Sequence, residues 1–350
     1  MSRCAQVGGQ AVIEGVMMRA PNSLAVAVRR PDGEIVVKEG VWQSIWDRLR
    51  FLRWPFLRGV VVMAEAMVNG MQALNFSAAE SLTEEEKEKE QQGGDSGGWL
   101  FALPLIISLV LFFGVFKLLP HLAATYAGDL FVGRKFTVND NIYHVVDGVV
   151  KMAIFIAYVG AISLLKDIRR VFMYHGAEHM SIYALEAGEP LTVAYARTKS
   201  PLHPRCGTSF LVVVILIFIV VSAVLLPFLP EWAKPGEGKP FYVHLLVALI
   251  KLPLLLPVAG IAYEFNRWAG RHTDNWLVKL LTWPGLLMQM LTTRRPTDDQ
   301  LEIALTALRT ALWREETGEA VPDTEAPRVY EHFDAVVAQV QPSDEIISRI

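Results

Sequence analysis

Run after run of apolar residues between positions 99 and 292 leaves this chain few ways to fold in water. A helix that crosses roughly 30 Å of hydrocarbon needs about 20 mostly apolar residues. Four stretches reach that length: Trp99–Pro120, Tyr143–Leu165, Thr208–Pro230 and Phe241–Phe265. A fifth, Trp276–Leu291, is shorter and contains Lys279 and Pro284, which suits a helix on the membrane surface or a re-entrant one. With 52% hydrophobic residues the chain is too apolar for an ordinary soluble protein. The expected fold class is mainly α: a polytopic α-helical membrane protein with about four transmembrane helices, one interfacial helix and a small cytoplasmic β-containing N-terminal region.

The net charge of −3 excludes little, because the charges are segregated along the chain. Lys166, Arg169, Arg170, Arg197, Lys199 and Arg205 fall between the second and third spans, whereas the loops on the other side carry only Arg134 with Lys135 and Lys234 with Lys239. Basic loops stay on the cytoplasmic side, so an even number of spans puts both termini there too. Residues 1–30 lack the pattern of a cleaved signal peptide. With only Cys4 and Cys206, no disulfide framework is expected, and Cys206 reads as a reduced cytosolic thiol.

Composition divides the chain further. Residues 1–40 form a β-rich segment, with AVIEGVMM, SLAVAVRR and EIVVKE as strands and Pro31-Asp32-Gly33 as a turn. Residues 41–80 change to helical spacing with Trp42, Trp46, Trp54 and several arginines among aliphatics, an amphipathic pattern suited to a headgroup zone and interrupted at Pro55. A helix packed on the protein's own soluble part is the bland alternative. Residues 81–98 are a charged, Gly-rich tether that cannot bury enough surface to order itself. Residues 99–292 make the transmembrane region, with a cytoplasmic motif loop at 166–207. Residues 293–350 form a cytoplasmic helical tail whose helix is capped at Thr297-Asp298-Asp299.

The chemistry concentrates in YHGAEHMSIYALEAGE, residues 174–189. No proline interrupts Ser163–Glu189 and Gly188 is a suitable C-cap, so a helix running out of the second span is expected. His175 and His179 are then one turn apart and face one point, the geometry that a tetrahedral divalent metal, zinc above all, asks of two ligands. Glu178 completes H-x-x-E-H, in which the glutamate is the general base acting on a metal-activated water. Glu186 adds a further acid near that face. Further ligands can come from His203 and Cys206 in LHPRCGTSF, from Glu264 in AYEFNRWAGRH, or from His272.

Bland readings stand beside these. A His pair at helical spacing is often just hydrogen-bonded, and a lone Cys206 is often a small buried hydrophobe. His144 and His244 open spans on the opposite face and would have to meet to hold a haem. Lys151 and Lys251 sit where snorkelling explains them. Gly8-Gly9-Gln10 matches the tripeptide of peptide release factors, but no basic tRNA-binding domain accompanies it, and no direct nucleic-acid binding is expected. The glycines fit a close backbone approach or a tight turn. Glu14, flanked by apolar residues, points either to solvent or at the histidine cluster.

Together GGQAVIEGVMMR, YHGAEHMSIYALEAGE, LHPRCGTSFL, YEFNRWAG and QMLTTRRPTDDQLEIALTAL resemble the bacterial YqhQ family of membrane proteins. The resemblance implies a bacterial inner-membrane location and a metal-dependent enzyme, with His175, Glu178, His179, His203, Cys206 and Glu264 at motif positions. Met180 departs from the basic residue expected after the second histidine. Two functions follow. One is a metal-dependent hydrolase at the cytoplasmic membrane face, with the bilayer as its surroundings and a lipid headgroup or a peptide as substrate. The other is a non-catalytic scaffold or biogenesis factor that docks a protein partner such as a translocon or ribosome, its polar cluster a structural staple. Transport fits poorly, since the spans hold few charges and no broken-helix pair.

Overall fold

The computed structural model describes residues 7–83, 85–86, 99–133, 136, 140–225, 228–230, 241–272, 275–318 and 326–349. Most of the expected tether and Cys4 lie outside them. Helices dominate, and an antiparallel meander of five strands opens the chain: β1 Gly8–Val12, β2 Gly15–Arg19, β3 Ser23–Arg29, β4 Ile35–Val41 and, from the far C-terminal segment, β5 Arg328–Tyr330. The turn at Pro31-Asp32-Gly33 joins β3 to β4, with Gly33 at φ 97°.

Sequence alternation suggested one strand across residues 11–18; the structure divides it into the β1–β2 hairpin. Its two-residue turn, Ile13-Glu14, lacks the Asn-Gly or Asp-Gly pair that marks such turns. Instead Glu14 takes φ 51° and its carboxylate is held by Arg170 and by the Tyr174 hydroxyl, which donates at 3.2 Å. Side-chain clamping thus substitutes for glycine in this left-handed turn.

Helix α1, Leu57–Ser81, covers one face of the sheet, where Ala73 meets Val12, Met17, Val26 and Val28. Before it, the chain breaks around Pro55 and exposes Phe51, Trp54 and Phe56 beside Arg50 and Arg53. On the other face lie α5, Lys166–Glu186, and α9, Asp298–Thr317. Thr297 and Gln300 form a capping box at the start of α9, and Leu301, Ile303, Leu305, Leu308 and Leu312 drive its burial against the strands. Short helices α10, Phe333–Gln339, and α11, Asp344–Arg349, close this core from below. The fifth strand has no counterpart in the sequence reading, because three residues are too few to show a period.

The apolar helices branch from this module. Helix α2, Trp99–Phe113, passes through a π turn at Gly114–Leu118 into α3, Leu119–Val132. The sequence ends the first span at Pro120, yet the helix continues: the wide turn accommodates a ring that would otherwise clash with the carbonyl four residues earlier. Helix α4, Asn141–Ile162, packs back on α3, followed by α6, Gly207–Leu225, α7, Phe241–Arg271, and α8, Trp276–Thr292. Among the described residues, three helical stretches are long and apolar enough to cross a membrane: Ile106–Leu130, Ile142–Ile162 and Gly207–Leu225. The stretch expected as a fourth span, Phe241–Phe265, falls within α7 and is not one of the three. The helix expected to run unbroken from Ser163 restarts at Lys166, since Leu165 is extended (φ −69°, ψ 133°); α5 is therefore a separate element that can turn into the module.

Candidate metal centre

His175 and His179 project from consecutive turns of α5, their rings 4.4 Å apart. Cys206 reaches the same point from the residue before α6. One ligand atom from each of the three lies within 4.8 Å of the others, and His175 Nε2 is 3.1 Å from Cys206 Sγ. Each histidine is oriented from behind. His175 Nδ1–H donates to the Thr292 carbonyl at 2.8 Å, and His179 Nδ1–H donates to the Pro201 carbonyl at 2.5 Å. This fixes the tautomer and turns both Nε2 lone pairs toward the thiol, the outer-shell arrangement that metal-ligating histidines use. Burial lowers the pKa of His179, which keeps the ring neutral and able to donate its lone pair. Thr208 donates its backbone N–H to Cys206 Sγ at 3.4 Å, so the start of α6 complements the thiolate that a bound cation requires. Two imidazoles and one thiolate match the donor preference of zinc.

Backbones had to come close to build this point. A Cβ on Gly176, between the two ligand-bearing turns, would stand 2.0 Å from the Arg294 carbonyl oxygen. That strand of chain instead lies against α5, with Arg294 N–H donating to the Phe172 carbonyl at 2.9 Å.

Glu178 is buried and lies 3.9 Å from His175 Nε2 and 3.8 Å from His179 Nε2. Burial raises its pKa, opposed by nearby His175 and by the Gly9 N–H that donates to the carboxylate. Gly9 is glycine for a visible reason: a Cβ there would meet Glu178 Cγ at 2.5 Å. The Gly-Gly-Gln tripeptide is thus part of this site's wall.

His203 stands one layer out. Its Nδ1 accepts from the Arg205 N–H at 3.3 Å and its Nε2 faces Glu186 at 3.3 Å, so both nitrogens are engaged. Burial holds its pKa at about 4. Glu186 also pairs with Arg205. The Gln289 side chain, on α8, grips the loop leading to Cys206: it accepts from His203 N–H at 2.8 Å and donates to the His203 carbonyl at 2.7 Å and Ser209 Oγ at 2.6 Å.

Glu264 is not brought to the cluster. Its carboxylate takes both arms of Arg58, one at 2.6 Å, where α7 crosses the start of α1. His272 bonds the Trp268 carbonyl at 2.9 Å and joins no cluster among the described residues. Glu14 binds Arg170 and Tyr174, away from the ligands. His144 is buried on α4 beside Tyr143, while the His244 side chain lies outside the described residues. Sequence reasoning missed Gln289, Thr292 and Pro201, and a backbone carbonyl leaves no signature in a sequence.

A cavity of about 440 Å³ opens at the cluster, lined by His175, Glu178, His179 and Cys206, by Gly8 to Ala11 of β1, and by Val171 and Phe172. The arrangement brings together three side chains that could hold a metal ion, a buried carboxylate and an open cavity.

Residues 54–314 match the family model described as "Protein of unknown function (DUF1385)". The chain is 33% identical over 305 residues to "Uncharacterized protein YqhQ" of Bacillus subtilis (strain 168), covering 85% of this chain and 89% of that protein. No solved structure matches it. On that extent of likeness, the chain belongs to the DUF1385 family, with YqhQ among its relatives.

Proposed function

We propose that this protein is a membrane-embedded, metal-dependent hydrolase working at the cytoplasmic face. One observation carries the reading: His175, His179 and Cys206 present two lone pairs and a thiol to one point that opens on a cavity. Structural zinc sites close with four protein ligands, whereas catalytic ones keep a position free; among the described residues the clustered donors number three. His175, His179 and Cys206 would hold a zinc ion here, which would supply Lewis-acid activation of a water, bringing its pKa to about 7. Glu178, held by Gly9, takes a proton from the attacking water and returns it to the leaving group. Gln289 and the Thr292 and Pro201 carbonyls keep the ligands aligned.

Chain parity supports four crossings. The described N-terminal strands, α5 and α9 pack in one module, so the chain must cross an even number of times between any two of them. Ile106–Leu130 and Ile142–Ile162 make one excursion; Gly207–Leu225 begins a second, and α7 is the helix that brings it back. The basic segment 166–205 supports a cytoplasmic position for the module.

The test is metal content of the full chain purified in detergent, wild type against His175→Ala with His179→Ala. We expect about one zinc per wild-type chain, a single site, and a marked loss in the variant with the helical signal unchanged. Equal metal in both removes the reading. Metal loss accompanied by unfolding turns it toward a structural staple in a scaffold.

A further inference from the structure

The cavity has a second wall whose chemistry names what enters it. In the β2–β3 ladder the Ala20 N–H donates to Ser23 and Arg29 to the Glu14 carbonyl, so even-numbered residues of β2 bond β3. Gly15, Met17 and Arg19 therefore bond Val12, Gln10 and Gly8 of β1. Gly9 and Ala11 are left pointing away from the sheet. β1 is an edge strand, and its outward side lines the cavity. The Gly9 N–H reaches Glu178. Among the described residues no backbone hydrogen bond engages the Gly9 carbonyl or either polar group of Ala11.

We infer that the substrate is an extended polypeptide, laid as an added antiparallel or parallel strand along β1 with its scissile amide beside Glu178. This rests on the hydrolase reading above. A free strand edge is a row of donors and acceptors that another backbone satisfies and an acyl chain cannot. The edge also stands at a fixed distance from the ligands, because Gly9 touches Glu178 and Glu14 clasps Arg170, five residues before His175 on the same helix. Val171 and Phe172, together with Val7 and Ala66, give the cavity an apolar side that takes an apolar side chain of the bound segment. In the reaction the water oxygen bonds to the amide carbonyl carbon and the C–N bond breaks. One water proton passes through Glu178 to the leaving amine, so the products are a carboxylic acid and an amine and no other reactant is consumed.

The experiment uses the full chain in detergent, loaded with zinc, and a library of random unstructured decapeptides read by mass spectrometry. We expect cleavage of a subset. Ala11→Pro removes one outward N–H without touching a bond to β2, a place where an edge strand tolerates proline; it should keep its zinc and lose at least about tenfold in kcat/KM, mostly through KM. Independently of folding, a cleaved decapeptide N-methylated at alternate amides should resist the wild type. Zinc-loaded protein that leaves all peptides intact overturns the inference while sparing the metal centre, as does equal cleavage of the methylated and parent peptides. Hydrolysis of phosphatidylglycerol–phosphatidylethanolamine vesicles with the peptides untouched reassigns the cavity to lipid. Failure of the wild type to bind zinc strikes the hydrolase reading instead.

Discussion

Helices α9 and α6 are similar in length and opposite in design. Helix α9 carries five acidic residues and two arginines, yet Ile303, Leu305, Leu308 and Leu312 are fully buried. Helix α6 is apolar almost throughout, yet among its described residues only Ser209, Val212, Val213 and Ser222 are buried, while Leu211, Leu216, Val220 and Val224 face outward. Half of what α6 hides is serine. The first helix folds by removing apolar surface from water; the second, long and apolar enough to cross a membrane, turns its apolar side chains outward and its small polar ones inward. The candidate metal centre sits at the seam, its histidines on the module's α5 and its cysteine at the foot of α6.

That contrast can be broken by paired truncations. Leu308→Ala should destabilise the module by about 2–5 kcal/mol, as buried leucines do, read as thermal unfolding in detergent. Leu216→Ala, 41% exposed in the structure, should cost less than about 1 kcal/mol, since its neighbour is solvent lipid or detergent. Similar losses at both positions would mean that α6 is packed like a soluble core.

The seam is probed next. Gly176→Ala sets a methyl 2.0 Å from the Arg294 oxygen, and backbone must shift; we expect about 1–3 kcal/mol of destabilisation with weaker zinc binding in titrations. Gln289→Ala leaves the buried His203 amide and carbonyl without their side-chain partner. It should lower zinc affinity by about ten- to a hundredfold, as loss of an outer-shell partner does, with the spans intact.

The smallest effect belongs to a residue that the sequence favoured. Glu264→Ala should leave zinc content unchanged and cost about 0–1 kcal/mol, the worth of a partly exposed ion pair, since its carboxylate is spent on Arg58. A loss of zinc in this variant would return Glu264 to the coordination sphere.

What could be read in advance follows a physical line. The spacing of His175 and His179 is a property of one helix, so periodicity exposes it. The long apolar runs likewise announce themselves one segment at a time. Glu264 and His203 could only be assigned to one expected side of a membrane, and side is not contact: Arg58 and Glu186 claimed them. Gly9 read as a site of close approach, but nothing local says that the approaching group is Glu178, 169 residues on. Helix α9 was legible as a capped amphipathic helix, though not as the element that unites the two ends of the chain, because β5 is too short to signal itself.

The most direct measurement is X-ray absorption at the zinc edge of the purified full-length protein. Two nitrogen scatterers at about 2.0–2.1 Å, one sulfur at about 2.3 Å and one further light atom are expected for His175, His179, Cys206 and a water. A shell without sulfur, or one filled by four protein donors, would contradict a three-ligand centre open to the cavity.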